Sequence, residues 1–313
     1  MALDPQAREF LDRLAAANLP RIETLPVDQA RVQLELSTRF LGPLPRVAGV
    51  NDRAIPGPGG PLRVRIIQPA TAAAARPPVL VYFHGGGWVL GSIETHEGMC
   101  RAIANEGGVV VVSVDYRRAP EHPFPAAVED AHAAFAWVLD QADELGADRS
   151  RVAVGGDSAG GNLAAAACLL ARDRGGPVPR LQILLYPITE YDLETPSYRE
   201  FAEGFFLTRS EMAWYWEQYV PDRELRGHPY ASPCRGELAG LPPAIVVTAE
   251  CDVLRDEGEA FAHRLQEAGV TTRLLRFPGM IHGFIRRHAF FDQGKAAIEV
   301  VARELRRIGE EVG

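Results

Sequence analysis

The residues equipped for chemistry lie in a few short stretches. "GGDSAGG", residues 155–161, sets one hydroxyl, Ser158, between pairs of glycines directly after the apolar run "RVAV". A flexible linker has this composition, and so does a nucleophile carried on a tight turn. The context separates them. The apolar run ends at Val154, and an alanine-rich helical stretch, "NLAAAACLLAR", follows at once. A strand, a turn bearing serine and then a helix is the layout of a nucleophile elbow. Its glycines clear room, because side chains two residues either side of the serine would collide with each other or with neighbouring strands. The serine itself is expected in a strained backbone conformation that lifts its hydroxyl clear. The start of the next helix adds backbone N–H groups and a positive dipole end.

A second stretch, "VYFHGGGW", follows another buried strand. Consecutive glycines after His84 let backbone N–H groups turn toward one point, which is what a developing oxyanion needs. A serine hydroxyl is a poor nucleophile until an imidazole takes its proton. Of the eight histidines, His84 belongs to the glycine loop. His132 and His263 fall within helices, and His96, His122, His228 and His288 sit in ordinary loop or helix-edge contexts. His282, in "FPGMIHGF", follows the last strand by a short glycine-containing loop, where α/β sheets place their chemistry. An acid should fall between serine and histidine in chain order. "VVTAECDVLRDEG" offers Glu250, Asp252, Asp256 and Glu257, and Asp252 sits just past the strand end.

The elements that must position these groups can be read from hydrophobic rhythm. Residues 5–17 and 27–40 carry apolar positions at helical spacing. "LRVRIIQP" alternates as a half-buried strand does. "PVLVYF", "GVVVVSVDY", "RVAVGG", "LQILLYP" and "PAIVVTAE" are short apolar runs suited to burial on both faces. "TTRLLRF" is more polar and reads as an edge strand, a surface that could pair two subunits, with a monomer as the alternative. Helical stretches near 95–106, 126–145, 160–174, 254–268 and 292–309 separate them. Alternating strands and helices predict a parallel sheet wrapped by helices. The interval between "LLYPI" and "LPPAIVV" exceeds fifty residues, too long for a simple crossover. It contains "FFLTRSEMAWYWEQYV" and reads as an insertion, helical around 208–219, that joins the N-terminal helices as a lid. Phe205, Phe206, Met212, Trp214 and Trp216 either line an apolar pocket or pack the lid, and Trp88 adjoins the glycine loop as a further pocket candidate.

Composition narrows the partners. The chain has 313 residues and a net charge of −8, and Lys295 is the one lysine among its 33 basic side chains. No basic stripe invites nucleic acid. No apolar stretch reaches the length of a membrane span, and "MALDPQAREFLDRL" lacks the apolar region of a secretory signal. Cys100, Cys168, Cys234 and Cys251 are scattered without paired spacing, which reads as buried thiols in a cytoplasmic, reducing compartment and as neither a disulfide framework nor a metal site.

HGGGW, "DYRRAPEHPFPAA", GDSAGG, "DVLRDEG" and "IHGF" occur in that order. Together they resemble the bacterial branch of the hormone-sensitive lipase family of α/β-hydrolases, over nearly the whole chain. The resemblance implies an α/β-hydrolase fold: a mostly parallel central sheet flanked by helices, with a helical cap over the carboxyl end of the strands. Residues 1–45 would form the N-terminal part of that cap, with an insertion at about 188–225 in a catalytic domain spanning 46–313. It implies carboxylesterase activity on small-molecule esters of short to medium acyl chains, without metal or cofactor, in a monomer or homodimer. An amidase or arylformamidase on the same fold is the alternative. Carried over position by position, Ser158 is the nucleophile, Asp252 the acid and His282 the base. The oxyanion donors are the N–H groups of Gly85, Gly86 and Ala159. Trp88, Phe206, Met212 and Trp216 are expected against substrate. Asp157 is expected to be structural, and the proline-rich segment after Tyr116 a rigid connection beneath the site.

Overall fold

A computed structural model describes residues 2–310. Eight strands form one sheet in the order β1-β2-β4-β3-β5-β6-β7-β8. They are β1 (Gly49–Gly57), β2 (Gly60–Gln68), β3 (Val79–Phe83), β4 (Val110–Val114), β5 (Val152–Asp157), β6 (Gln182–Leu185), β7 (Ala244–Cys251) and β8 (Thr272–Ile281). From β4 to β8 all neighbours run parallel, and β1 and β2 pair antiparallel at the other edge. The apolar runs become the central strands because both of their faces are covered: every residue of β3, β4, β5 and β6 is buried.

Nine helices surround the sheet among the described residues: α1 (Pro5–Ala17), α2 (Val27–Ser37), α3 (Ile93–Gly107), α4 (Ala126–Asp140), α5 (Ala159–Asp173), α6 (Pro196–Glu200), α7 (Arg209–Tyr219), α8 (Arg255–Glu267) and α9 (Asp292–Glu310). Helix α3 packs on α9, and α4 on α5. The sequence expectation runs α4 to 145, whereas the helix ends at Asp140 and the chain continues as turns. β1 carries no apolar rhythm to read: only Ile55 is buried along it, and Pro56 is tolerated because the strand lies at the edge. β8 does lie at the opposite edge, and it continues past "TTRLLRF" through the Pro278-Gly279 pair, with an irregular register opposite Ala249 and Cys251.

The N-terminal helices and the insertion between β6 and β7 meet above the carboxyl ends of the strands. Phe10 of α1 packs edge-on against Phe206 at 5.7 Å. Ser210 Oγ donates to Glu23 Oε1 at 2.8 Å. A capping box, Thr208 with Glu211, starts α7 by satisfying the N–H groups that a helix's first turn leaves unpaired. Arg31 of α2 reaches down to donate to the carbonyls of Val89 and Ala119, at 2.9 and 3.0 Å.

Candidate active site

β5 ends in the sharp turn the glycines foretell. Ser158 has φ 57° and ψ −119°, a strained conformation for any residue with a side chain. Its N–H donates to Leu185 O at 2.8 Å, which seats the turn against β6. A Cβ on Gly156 would lie 2.4 Å from Gly160, and one on Gly160 would lie 1.9 Å from Phe83 O. Both glycines are therefore dictated by close approach, and the second brings the elbow against the end of β3, where the glycine loop departs.

His282 and Asp252 come together at the ends of β8 and β7. His282 Nδ1 lies 2.7 Å from Asp252 Oδ2, with the acid 1% exposed and the histidine 7%. The carboxylate's other oxygen accepts Leu254 N–H at 3.1 Å, which fixes its rotation. The remaining acids of this stretch hold structure. Glu250 accepts Gly279 N–H at 2.7 Å, Asp256 accepts Ser197 N–H at 2.7 Å, and Glu257 accepts Thr189 N–H at 2.7 Å. Tyr186 connects His282 to the turn that carries Ser158. Its ring stands edge-on to His282 at 4.7 Å, and Ser158 bonds through its backbone to Leu185 and Ile188 on either side of it. Ser158 Oγ itself forms no hydrogen bond among the described residues. Such contacts commonly tighten only with substrate bound.

The glycine loop corrects one expectation. Gly85 N–H is already committed to Asp157 Oδ1 at 3.0 Å and so cannot serve an oxyanion. The next two residues, Gly86 at φ 122° and Gly87 at φ 60°, occupy backbone regions that favour glycine, and their N–H groups meet no acceptor among the described residues. Ala159 N–H, in the first turn of α5, is likewise unengaged. The available donors are therefore Gly86, Gly87 and Ala159. The loop is braced by the segment after Tyr116. Ala119 N–H donates to Trp88 O at 3.0 Å, and Arg118 donates to Gly91 O at 2.6 Å. His84 stacks on Tyr116 at 4.2 Å, and burial, then the nearby His96, pushes its imidazole down to about 3, keeping the ring neutral.

Asp157 and His96 are the residues whose setting sequence reasoning missed. The carboxylate is 4% exposed and His96 1%. Tyr82 Oη donates to Asp157 Oδ1 at 2.7 Å, and His96 Nε2 lies 3.3 Å from Oδ2. Burial pushes this carboxyl upward, but His96 and the Tyr82 hydroxyl outweigh it and hold the group well below the usual carboxylate range. An ionised carboxylate only accepts, so His96 Nε2 carries the proton. Asp157 was visible within its motif; nothing in the sequence ties His96, in the first turn of α3, to it.

Three of the four expected substrate contacts are fully buried. Trp88 and Trp216 are 0% exposed and Met212 1%. Trp88 stacks on Tyr219 at 4.1 Å, meets Trp216 edge-on at 5.0 Å, and donates from Nε1 to Asn162 at 3.3 Å. Trp88 and Trp216 thus pack at the seam between α7 and the body. Phe206, half-buried at φ 79°, would sit 3.7 Å from a Cβ on Gly283 and so lies beside His282. The broad groove lined by Asp148, Val178 and Pro242 lies at the amino ends of the strands, away from this site. No group of three or more His, Cys, Asp or Glu side chains is arranged to hold a metal among the described residues, and none of their helices is long and apolar enough to cross a membrane.

A family model described as the alpha/beta hydrolase fold matches residues 80–286. The chain is 48% identical to the carboxylic ester hydrolase LipN of Mycobacterium tuberculosis, the match covering 75% of this chain and 64% of that protein. The chain thus spans just under two thirds of that relative's length. It is 36% identical to an ethyl acetate hydrolase of Pseudomonas putida, over 98% of this chain and 99% of the other. The crystal structure of a hyperthermophilic esterase from Pyrobaculum calidifontis superposes with a TM-score of 0.93 at 44% identity, covering 99% of both chains.

Proposed function

The chain belongs to the alpha/beta hydrolase family, in its hormone-sensitive lipase-like branch, and from that premise we propose that it hydrolyses carboxylic esters of short to medium acyl chains through an acyl-enzyme. The observation that carries this reading is the buried His282–Asp252 pair at 2.7 Å, whose histidine meets Tyr186 next to the Leu185 carbonyl that seats the Ser158 turn, with the serine at φ 57°.

Ser158 Oγ attacks the ester carbonyl while His282 Nε2 takes its proton. Asp252 bonds Nδ1, which keeps Nε2 free to accept and stabilises the imidazolium that forms. The carbonyl oxygen becomes an oxyanion, received by the N–H groups of Gly86, Gly87 and Ala159. His282 then protonates the leaving alcohol. Water repeats the sequence on the acyl-enzyme and releases the acid. The N-terminal helices and the insertion act as a cap over the reacting centre. The four cysteines are buried free thiols, which agrees with a reducing, cytoplasmic setting.

A series of p-nitrophenyl esters of rising chain length, with a matched amide, tests this. Hydrolysis is expected to be fastest among the short and medium esters, and Ser158→Ala is expected to lose roughly 10⁴-fold or more in kcat. Undiminished ester hydrolysis by Ser158→Ala would overturn the proposal, and preference for the amide would reassign the substrate.

A further inference from the structure

Asp157 is the one polar side chain of the elbow motif that the proposed reaction does not use. It ends β5 and reaches two other parts of the fold at once. Its Oδ1 takes the hydroxyl of Tyr82 at 2.7 Å and the N–H of Gly85 at 3.0 Å, and its Oδ2 faces His96 Nε2 at 3.3 Å. The far side of the His96 ring is fixed as well, with Nδ1 2.8 Å from Thr95 Oγ1. A buried carboxylate is costly unless its oxygens are matched, and here three donors match it. The fit leaves no slack: a Cβ on Gly85 would lie 2.5 Å from Asp157 Oδ2.

The consequence is geometric. One peptide bond joins Asp157 to the nucleophile Ser158, and one charge-assisted hydrogen bond joins it to the loop that carries the oxyanion donors. Such bonds are roughly twice as strong as neutral ones. Holding Gly85 N–H fixes where the next two N–H groups point, and donors already in place at the moment of reaction are what make an oxyanion hole effective.

We propose that Asp157, held by His96, is the positioning residue of the oxyanion hole, locking the Gly86 and Gly87 donors in register with Ser158. This deepens the esterase reading and rests on it. The coupling acts on the tetrahedral state and leaves ground-state substrate binding almost untouched.

The test compares wild type with Asp157→Asn, which keeps an acceptor but removes the charge, and Asp157→Ala, which removes both. We expect kcat to fall about 10-fold in the first and about 100-fold or more in the second, with KM within about twofold. A substrate-shaped trifluoromethyl ketone, which forms a tetrahedral adduct on Ser158, should lose affinity by the same factor as kcat/KM. Diethyl p-nitrophenyl phosphate should still label one serine per chain, which shows the variants to be folded. If Asp157→Ala does not fold, Asp157→Asn decides. A kcat within twofold of wild type in Asp157→Asn, or a fall in kcat with unchanged ketone affinity, overturns the proposal. Failure of the esterase reading looks different: Ser158→Ala would stay active, whatever Asp157 does.

Discussion

At Ser158 the sequence and the structure meet in one dihedral angle. A positive φ on a serine is a cost that folding must offset, and the close contacts of Gly156 and Gly160 show what over-determines it. The acid shows how far one residue can be read. Four carboxylates lay within reach in the sequence; the structure gives three of them structural duties and leaves Asp252 to His282. Asp252→Asn is therefore expected to keep the fold while lowering kcat by about 10⁴-fold, because the amide favours the wrong imidazole tautomer. Steady-state kinetics beside a thermal melt would check both halves; a loss under tenfold would contradict the assignment. Gly85 and Gly86 looked equivalent in the sequence, since a run of glycines announces donors without saying which are spent. Only the placement of Asp157 shows that Gly85 is already bonded. Trp88, Met212 and Trp216 are buried about as deeply as Asp252, so burial does not separate a pocket wall from lid packing. An aromatic cluster reads identically whether it lines a cavity or seals a seam, and contact geometry alone distinguishes the two.

Among the elements, the central strands were legible because burial on both faces writes continuous apolar runs, and β1 was not because an exposed edge imposes no pattern. The insertion was legible by its length alone. Its attachment depends on α8, whose Glu257 accepts Thr189 and Glu190 N–H groups at 2.7 and 3.3 Å where the chain leaves β6 for the cap. Burial, against those two bonds, drives the Glu257 carboxyl well above the usual range. The folded protein thus keeps a proton that the unfolded chain releases near the ordinary glutamate value. Stability from this group is complete below that value and drains away as pH rises above it. Glu257→Gln, which preserves the acceptor, is expected to raise Tm by a few degrees at pH 8 and to leave it nearly unchanged at pH 4. Melts at the two pH values measure this, and an equal shift at both would contradict the protonated state.

On the scale of the whole molecule, the reactive groups gather at the carboxyl ends of β5, β7 and β8, beside the loop after β3, while the broad groove lies at the opposite end of the sheet. That division follows from parallel strands, whose carboxyl ends all open to one side. The sheet brings together residues as distant in the chain as Gly86 and His282, which is why each motif means little alone and their order means much. The central claim is that one residue, Ser158, carries the acyl group, and the most direct measurement is intact-protein mass after exposure to diethyl p-nitrophenyl phosphate. One diethylphosphoryl adduct per chain is expected on the wild type, mapping to Ser158, with hydrolysis lost in proportion to labelling and no adduct on Ser158→Ala. Labelling at another residue, or activity that survives complete labelling of Ser158, would contradict the account.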